Sequence, residues 1–169
     1  VLATSLALDR WLAALARQEL RFRLPAGSAL FDTGGFKGRE TEVDRDDLLA
    51  RAEHRLGIPA ARAVREYGMT ELTSQCYTAT LAGGDPEIFI APHWMRVRVL
   101  DPVTLAELPA GATGLLAFFD LANVGSALHL LTEDLGSLEG PGFRLVGRAP
   151  EADLRGCSLL AEELGGAAH

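Results

Sequence analysis

The sequence lacks several features that would place it in a familiar class. It has no run of about eighteen apolar residues, so no membrane span is predicted. It has no basic region followed by an apolar block and a small-residue cleavage site, so we expect a cytoplasmic protein. Its two cysteines, Cys76 and Cys157, are far apart and lack CxxC spacing. A zinc knuckle or a redox pair is therefore not predicted, and both side chains are expected to be thiols.

Positive charge is also in short supply. The formal net charge is -7, and the basic residues are scattered along the chain. Because no continuous positive stripe is available for a phosphate backbone, we do not expect nucleic-acid binding. The four histidines lack metal-ligand spacing, and no serine lies in a Gly-x-Ser-x-Gly context. A histidine-based metal centre and a serine hydrolase are therefore unsupported.

The length, the hydrophobic content and the order of the predicted elements are typical of a folded α/β protein. At 169 residues, 48% of them hydrophobic, the chain can form the core of one domain. Helical spacing of leucines over 6–20 predicts an amphipathic helix. A short buried strand is expected over 29–33, ending at Gly34-Gly35; a helix over 44–56, capped by its first residue; and a strand over 63–67. The order strand, loop, helix, strand is typical of a parallel α/β unit.

Beyond Thr73 the pattern changes to short strands separated by Gly, Pro, Asp and Asn. The strands are expected over 75–81, 95–101, 115–121, 128–132 and 143–147. The predicted fold class is therefore α/β, with a parallel α/β unit followed by an antiparallel, barrel-like β portion. We expect an α/β unit over 1–72, a mainly β portion over 73–148 and a cysteine-bearing tail over 149–169.

The segment Tyr67-Gly68-Met69-Thr70-Glu71 carries side chains suited to a nucleotide. It follows a strand, so it lies at the C-terminal edge of the sheet, where α/β proteins bind ligands. Tyr67 can stack on a base, and Gly68 lets the backbone approach a ligand. Thr70 can bond a phosphate oxygen, and Glu71 can hold magnesium. Taken alone, however, a five-residue match favours an ordinary turn with a capping threonine and an exposed glutamate.

The pattern Tyr-Gly-x-Thr-Glu resembles the adenylate-forming superfamily, which includes acyl-CoA synthetases, firefly luciferase and peptide-synthetase adenylation domains. Residues 32–39, Asp-Thr-Gly-Gly-Phe-Lys-Gly-Arg, stand where that superfamily has a glycine-rich segment lining the adenine pocket, which implies nucleotide binding by Gly34 and Gly35. Leu-Thr-Glu-Asp-Leu-Gly at 131–136 resembles an element whose Asp grips the ribose hydroxyls, a role implied for Asp134. The segment 142–148 resembles the strand and Gly-Arg pair whose Arg contacts the nucleotide, which implies Arg148. Four elements in the correct order favour a nucleotide site over a turn.

Three longer segments narrow the resemblance to one family within that superfamily. Gly-Gly-Phe-Lys-Gly-Arg, Tyr-Gly-Met-Thr-Glu-Leu-Thr-Ser-Gln and Leu-Arg-Gly-Cys-Ser-Leu resemble the acyl-protein synthetase family of bacterial luminescence, the long-chain-fatty-acid luciferin-component ligases, over nearly the whole chain. That family adenylates a fatty acid with ATP and passes it to an enzyme cysteine near the C-terminus. The resemblance implies ATP and Mg²⁺ as cofactors, a carboxylic acid substrate, with a fatty acid expected, and an acyl-reductase or acyl-carrier partner.

Cys157 is the candidate acyl acceptor. It lies near the C-terminus, and the nearby Arg155 and Arg148 would favour its thiolate form. The alternative, a small buried hydrophobe, is equally open. Cys76 has no such context and is expected in the core.

Three departures from the superfamily bear on activity. No Ser/Thr/Gly-rich phosphate loop precedes Asp32, and no large lid with a catalytic lysine follows Gly156. The first residues also enter an apolar segment without an initiator Met. We therefore expect the chain to be the C-terminal half of an enzyme and, alone, not to complete the reaction. Glu133 stands where a glycine is usual, which puts the local turn in question. An acyl-CoA ligase, or an inactive fragment acting as an interaction module, remains an open alternative.

Overall fold

The computed structural model describes residues 1–33 and 44–149. The elements in those ranges are β1 (Leu2–Thr4), α1 (Ser5–Arg17), β2 (Leu30–Thr33), α2 (Arg45–Leu56), β3 (Ala63–Tyr67), β4 (Cys76–Thr78), β5 (Ile88–Ile90), β6 (Met95–Leu100), β7 (Thr113–Asp120), β8 (His129–Glu139) and β9 (Gly142–Arg148). In this part of the chain neither helix has the length and apolar character needed to cross a membrane.

Both predicted helices are confirmed, because local signals fix them. The side chain of Asp44 accepts a hydrogen bond from the amide of Asp46 at the start of α2, and Gly57 ends the helix with a φ of 72°. Such N-cap and left-handed C-terminal residues satisfy the amides and carbonyls left over at helix ends. The inward face of α1 buries Leu8, Leu12 and Leu15.

The nine strands of residues 1–33 and 44–149 form one sheet in the order β1-β2-β3-β4-β5-β9-β8-β7-β6. The pairs β1–β2 and β2–β3 are parallel, and every later pair is antiparallel. The α/β class, with a parallel unit followed by an antiparallel portion, is therefore confirmed. Among the described strands β1 and β6 are outermost, so the antiparallel portion continues the parallel unit as an open ladder.

Three strands differ from the sequence prediction. The strands β1 and β5 were missed, because three residues are too few to show an alternating pattern. The strand predicted over 128–132 continues as β8 to Glu139, through Gly136. That glycine has no room for a side chain, because a Cβ there would lie 2.6 Å from the carbonyl oxygen of Arg144. It marks close backbone contact within the sheet.

Two hydrophobic clusters form the core. The first packs the helices on the parallel strands and includes Leu12, Leu56 and Ala63. The second lies along the antiparallel strands and is rich in aromatic rings: Tyr67, Phe89, Phe118 and Phe143. The strand β3 contributes to both, with Ala63 at its start and Tyr67 at its end. The division at residues 72 and 148 stays a prediction, and most of the predicted tail lies outside the described residues.

Candidate functional site

The predicted site residues gather where β3 ends. Tyr67 is the last residue of β3, and Gly68 to Glu71 form the loop that follows. The neighbouring strand β2 ends at Thr33, which pairs with Glu66. Because parallel strands end at a common edge, the chain leaves β2 and β3 at neighbouring positions. Gly34 and Gly35 themselves lie outside the described residues, as does Cys157.

Tyr67 and Asp134 are in direct contact. The phenol of Tyr67 donates a 2.8 Å hydrogen bond to Oδ2 of Asp134. Burial, reinforced by the negative charge of Asp134, holds the pKa of Tyr67 well above its ordinary value. The phenol therefore stays protonated and remains a donor throughout the physiological range.

The ring of Tyr67 belongs to the aromatic core. It stacks on Phe118, with centroids 5.5 Å apart and planes at 25°, and meets Phe143 edge-on at 5.4 Å. Only 6% of the residue is exposed. These contacts occupy one ring face and much of the ring edge, so stacking of Tyr67 on a base stays a prediction that the described packing does not support.

Asp134 faces Arg148 across the β8–β9 ladder, where the two residues are register partners. Nε of Arg148 lies 3.4 Å from Oδ1 of Asp134, and its Nη2 donates at 2.7 Å to Oε2 of Glu133. The arginine thus lies against two adjacent carboxylates. The pairing of Arg148 with Glu133 was not foreseen, although an acid next to Asp134 was visible in the sequence.

A bulge in β8 presents Asp134. Leu115 pairs with Leu135 and Ala117 with Leu131, so residues 132–134 stand opposite Leu116 alone. The hydroxyl of Thr132 fills the gap: it donates to the carbonyl of Leu116 at 2.8 Å and accepts from the amide of Asp134 at 3.1 Å. Bulges of this kind redirect side chains beside functional sites.

The doubt about Glu133 is resolved by the same bulge. The non-glycine residues with positive φ in the described part of the chain are Glu19 and Leu105, so the φ of Glu133 is negative. Its carbonyl accepts from the amide of Ala149 at 2.8 Å. A glycine is therefore not required at position 133.

The carboxylate of Asp134 has more acceptor positions than its described contacts use. An ionised carboxylate has about four acceptor positions. The phenol of Tyr67 takes one, and Arg148 lies against the other oxygen. Asp134 is therefore held from two sides, and 14% of its side chain remains exposed.

Thr70 and Glu71 form a second, exposed group on the same loop. The hydroxyl of Thr70 donates to Oε2 of Glu71 at 3.0 Å. An exposed carboxylate suits Mg²⁺, which prefers oxygen ligands and retains several waters. Gly68 has less space around it, because a Cβ there would lie 3.2 Å from Cγ of Gln75. The structure thus brings Tyr67, Asp134 and Arg148 together and leaves Thr70 and Glu71 on the adjoining surface.

The loop after β3 rests on a second loop that sequence reasoning missed. Nδ2 of Asn123 donates to the carbonyl of Glu71, and both the amide and the hydroxyl of Ser74 donate to Asp120. In the sequence, Asp120 was placed inside the strand predicted over 115–121, and Asn123 was interpreted only as a strand breaker. The burial of both side chains is visible only in the structure, so the sequence signal was limited to two polar residues three positions apart.

Comparisons with known proteins identify the family. The family model described as Acyl-protein synthetase, LuxE matches residues 8–164. The curated long-chain-fatty-acid–luciferin-component ligase of Vibrio harveyi is 25% identical over 134 residues, which cover 75% of this chain and 34% of that protein. The chain therefore spans about a third of the length of this relative.

Solved structures show the same fold. The long-chain-fatty-acid-CoA ligase FadD1 from Archaeoglobus fulgidus has a TM-score of 0.63 at 15% identity, covering 88% of this chain and 34% of that one. ATP-bound MatB from Rhodopseudomonas palustris has a TM-score of 0.57 at 18% identity, covering 87% and 30%. McyG A-PCP, complexed with phenylalanyl-adenylate, has a TM-score of 0.61 at 16% identity, covering 88% and 30%. At these identities the likeness concerns the fold alone.

Proposed function

Because the chain belongs to the acyl-protein synthetase family, LuxE, we propose that it forms part of an enzyme that activates a carboxylic acid with ATP as an acyl-adenylate. The observation that carries this proposal is the contact of Tyr67, Asp134 and Arg148, three residues from separate sequence elements, at the end of β3. An ordinary turn without a ligand does not require a carboxylate that contacts both a phenol and an arginine.

The nucleotide is assigned to this cluster and the neighbouring glycines. Asp134 accepts hydrogen bonds from the ribose hydroxyls, since its carboxylate keeps free acceptor positions. Arg148 supplies positive charge beside the nucleotide. Gly34, Gly35 and Gly68 let the backbone come close to the base and phosphates.

Thr70 and Glu71 are assigned to the phosphates. The hydroxyl of Thr70 can donate to a phosphate oxygen, and the exposed carboxylate of Glu71 fits the oxygen preference of Mg²⁺. When bound, magnesium offsets the negative charge of the phosphates. In the proposed reaction a carboxylate oxygen of the substrate attacks the α-phosphorus of ATP, and pyrophosphate leaves.

A fatty acid is the proposed substrate, supported by the name of the Vibrio harveyi relative. In the second step the thiolate of Cys157 attacks the acyl carbonyl, a thioester forms and AMP leaves with the bonding electrons. An acyl-reductase or acyl-carrier protein is the proposed next acceptor. A cytoplasmic location, where ATP is abundant, belongs to the same proposal.

Mass spectrometry tests this function on the protein encoded by the complete gene. With ATP, Mg²⁺ and a long-chain fatty acid, we expect release of pyrophosphate and an acyl adduct that disappears in Cys157→Ser. Consumption of added coenzyme A without an adduct would identify an acyl-CoA ligase instead. If neither product forms, and calorimetry detects no ATP binding by the complete protein, the protein is an inactive interaction module.

A further inference from the structure

Two loops that are about fifty residues apart in sequence are joined by one carboxamide. Asn123 lies just after β7, and its Nδ2 donates at 2.8 Å to the carbonyl of Glu71 and at 2.8 Å to the carbonyl of Ala127. Its Oδ1 accepts from the hydroxyl of Thr73 at 2.8 Å. The residue is 6% exposed. Both donor hydrogens of the amide are used, so its orientation is fixed.

A buried carboxylate holds the loop after β3 at a second point, Ser74. Asp120 is fully buried and accepts from the amide and the hydroxyl of Ser74, each at 3.0 Å, and from the amide of Ala122 at 3.0 Å. The indole of Trp94 donates to the Ser74 hydroxyl at 2.8 Å. Hydrogen bonds to an ionised acceptor are stronger than neutral ones. The far end of the loop at Ser74 is therefore firmly attached to the sheet.

The near end is fixed by Tyr67, which is packed in the aromatic core. Between these anchors stands Glu71, whose carboxylate is exposed and whose carbonyl is held by Asn123. We infer that Asn123 is a positioning residue for Glu71: by holding the carbonyl of Glu71 and the hydroxyl of Thr73, it sets where the Glu71 carboxylate meets Mg²⁺. This inference rests on the proposed function of Glu71.

The physical reason is that a small displacement of a catalytic loop is costly. A shift of about 1 Å in a positioned group can reduce a rate by about a hundredfold. Asn123 holds the backbone and leaves the carboxylate of Glu71 free. Its loss should therefore weaken the response to Mg²⁺ without removing any group that contacts ATP.

Two variants test whether Asn123 positions Glu71 or only stabilises its own loop through Ala127. Asn123→Ala removes all three hydrogen bonds, whereas Thr73→Val removes only the bond between Thr73 and Asn123 and leaves the bonds from Asn123 to Glu71 and Ala127 in place. Thr104→Val is the matched control, because the hydroxyl of Thr104 donates to Asp101 in a hairpin loop elsewhere. Each variant is compared with the wild-type protein in two measurements.

The first measurement is amide hydrogen exchange of the chain without ligand. We expect exchange at residues 69–75 to accelerate about tenfold in Asn123→Ala and about threefold in Thr73→Val, since the first variant removes two hydrogen bonds to this loop and the second removes one. Thr104→Val should leave residues 69–75 unchanged. Equal exchange at 69–75 in all variants would overturn the inference.

The second measurement is the Mg²⁺ concentration for half-maximal pyrophosphate release by the complete gene product. We expect it to rise about tenfold in Asn123→Ala and about threefold in Thr73→Val, with affinity for ATP without magnesium within about twofold of wild type. An unchanged Mg²⁺ requirement in an active protein would refute the positioning role and leave the proposed function intact. If the wild-type protein itself releases no pyrophosphate, the proposed function fails and the inference fails with it. If Asn123→Ala does not fold, the two measurements on Thr73→Val test the inference.

Discussion

The phenol of Tyr67 donates a hydrogen bond of 2.8 Å to the carboxylate of Asp134, 67 residues further along the chain. This contact ties the end of β3 to the bulge in β8. It turns two motifs that are distant in sequence into one local arrangement, and Arg148 completes it from β9. The consequence is that the aromatic residue supports the acid as well as the core.

Tyr67→Phe separates these two roles, because it keeps the ring and removes the donor. We expect the free energy of unfolding to fall by about 0.5–1.5 kcal/mol, and ATP affinity of the complete protein to fall about threefold to tenfold as Asp134 loses one support. Tyr77→Phe is the matched control, since that phenol donates to Glu66 at an exposed position. Urea unfolding and calorimetry measure both effects, and equal affinities of the two variants would contradict the prediction.

Asp134→Asn tests the acid assigned to the ribose. The amide has the shape of the carboxylate but lacks its charge and one acceptor, so we expect ATP to bind about tenfold to a hundredfold more weakly. The fold should persist, because Arg148 keeps its bond to Glu133. Asp85→Asn, which alters an exposed partner of Arg144, is the control. Unaltered ATP affinity on calorimetric titration would remove Asp134 from the site.

Glu71→Gln should leave folding intact, because the side chain is exposed. The neutral amide is a poorer ligand for a hard cation, so we expect the Mg²⁺ requirement of pyrophosphate release to rise about tenfold or more. Glu107→Gln, which removes an exposed partner of Arg98, serves as the control. If the magnesium titrations of both variants coincide with wild type, Glu71 does not hold the metal.

The thiol of Cys76 should be unreactive in the folded protein. Burial, with a smaller effect from the charge of Asp120, raises the pKa of Cys76 from 9.0 to about 12. Between about pH 7 and pH 9 we expect alkylation of the native protein at Cys157, the proposed acceptor, and at Cys76 only after unfolding. Peptide mapping locates the label, and rapid native modification of Cys76 would contradict its burial.

The same shift predicts how stability depends on pH. Above about pH 9 the unfolded thiol of Cys76 ionises while the folded thiol keeps its proton, so the unfolded state binds fewer protons. Stability should therefore fall as the pH rises from about 9 towards 12. Urea unfolding of Cys76→Ala, compared with wild type across this range, should show a smaller decline; an identical decline would assign the effect to other groups.

Gly142→Ala tests the junction of the two halves of the sheet. A Cβ at this position would lie 2.1 Å from the carbonyl oxygen of Phe89 in β5. Relief of that clash must separate β5 from β9, so we expect a loss of about 1–3 kcal/mol in the free energy of unfolding. Gly125→Ala meets no atom within 4 Å and is the control. Equal thermal midpoints would argue against the β5–β9 pairing.

Local signals account for the elements that the sequence predicted well. The helix α2 has an aspartate at its N-cap and a glycine in a left-handed conformation after its last residue, and both act within one turn of the helix. The strands β2 and β3 flank that helix, so their parallel pairing followed from chain connectivity. The end of the strand predicted over 128–132 was wrong because the continuation of β8 to Glu139 depends on its pairing with β9, a separate strand.

The α/β class, the order of the motifs and the membership of an acyl-protein synthetase family could be predicted before folding was considered, because these depend on residue types and spacing along the chain. Tertiary structure alone decided that Tyr67 bonds Asp134, that Glu133 joins Arg148 and that Asn123 holds Glu71. These contacts depend on which strands become neighbours and in which register they pair. Sheet pairing is a long-range choice that maximises burial and hydrogen bonding over the whole chain, so short stretches of sequence do not specify it.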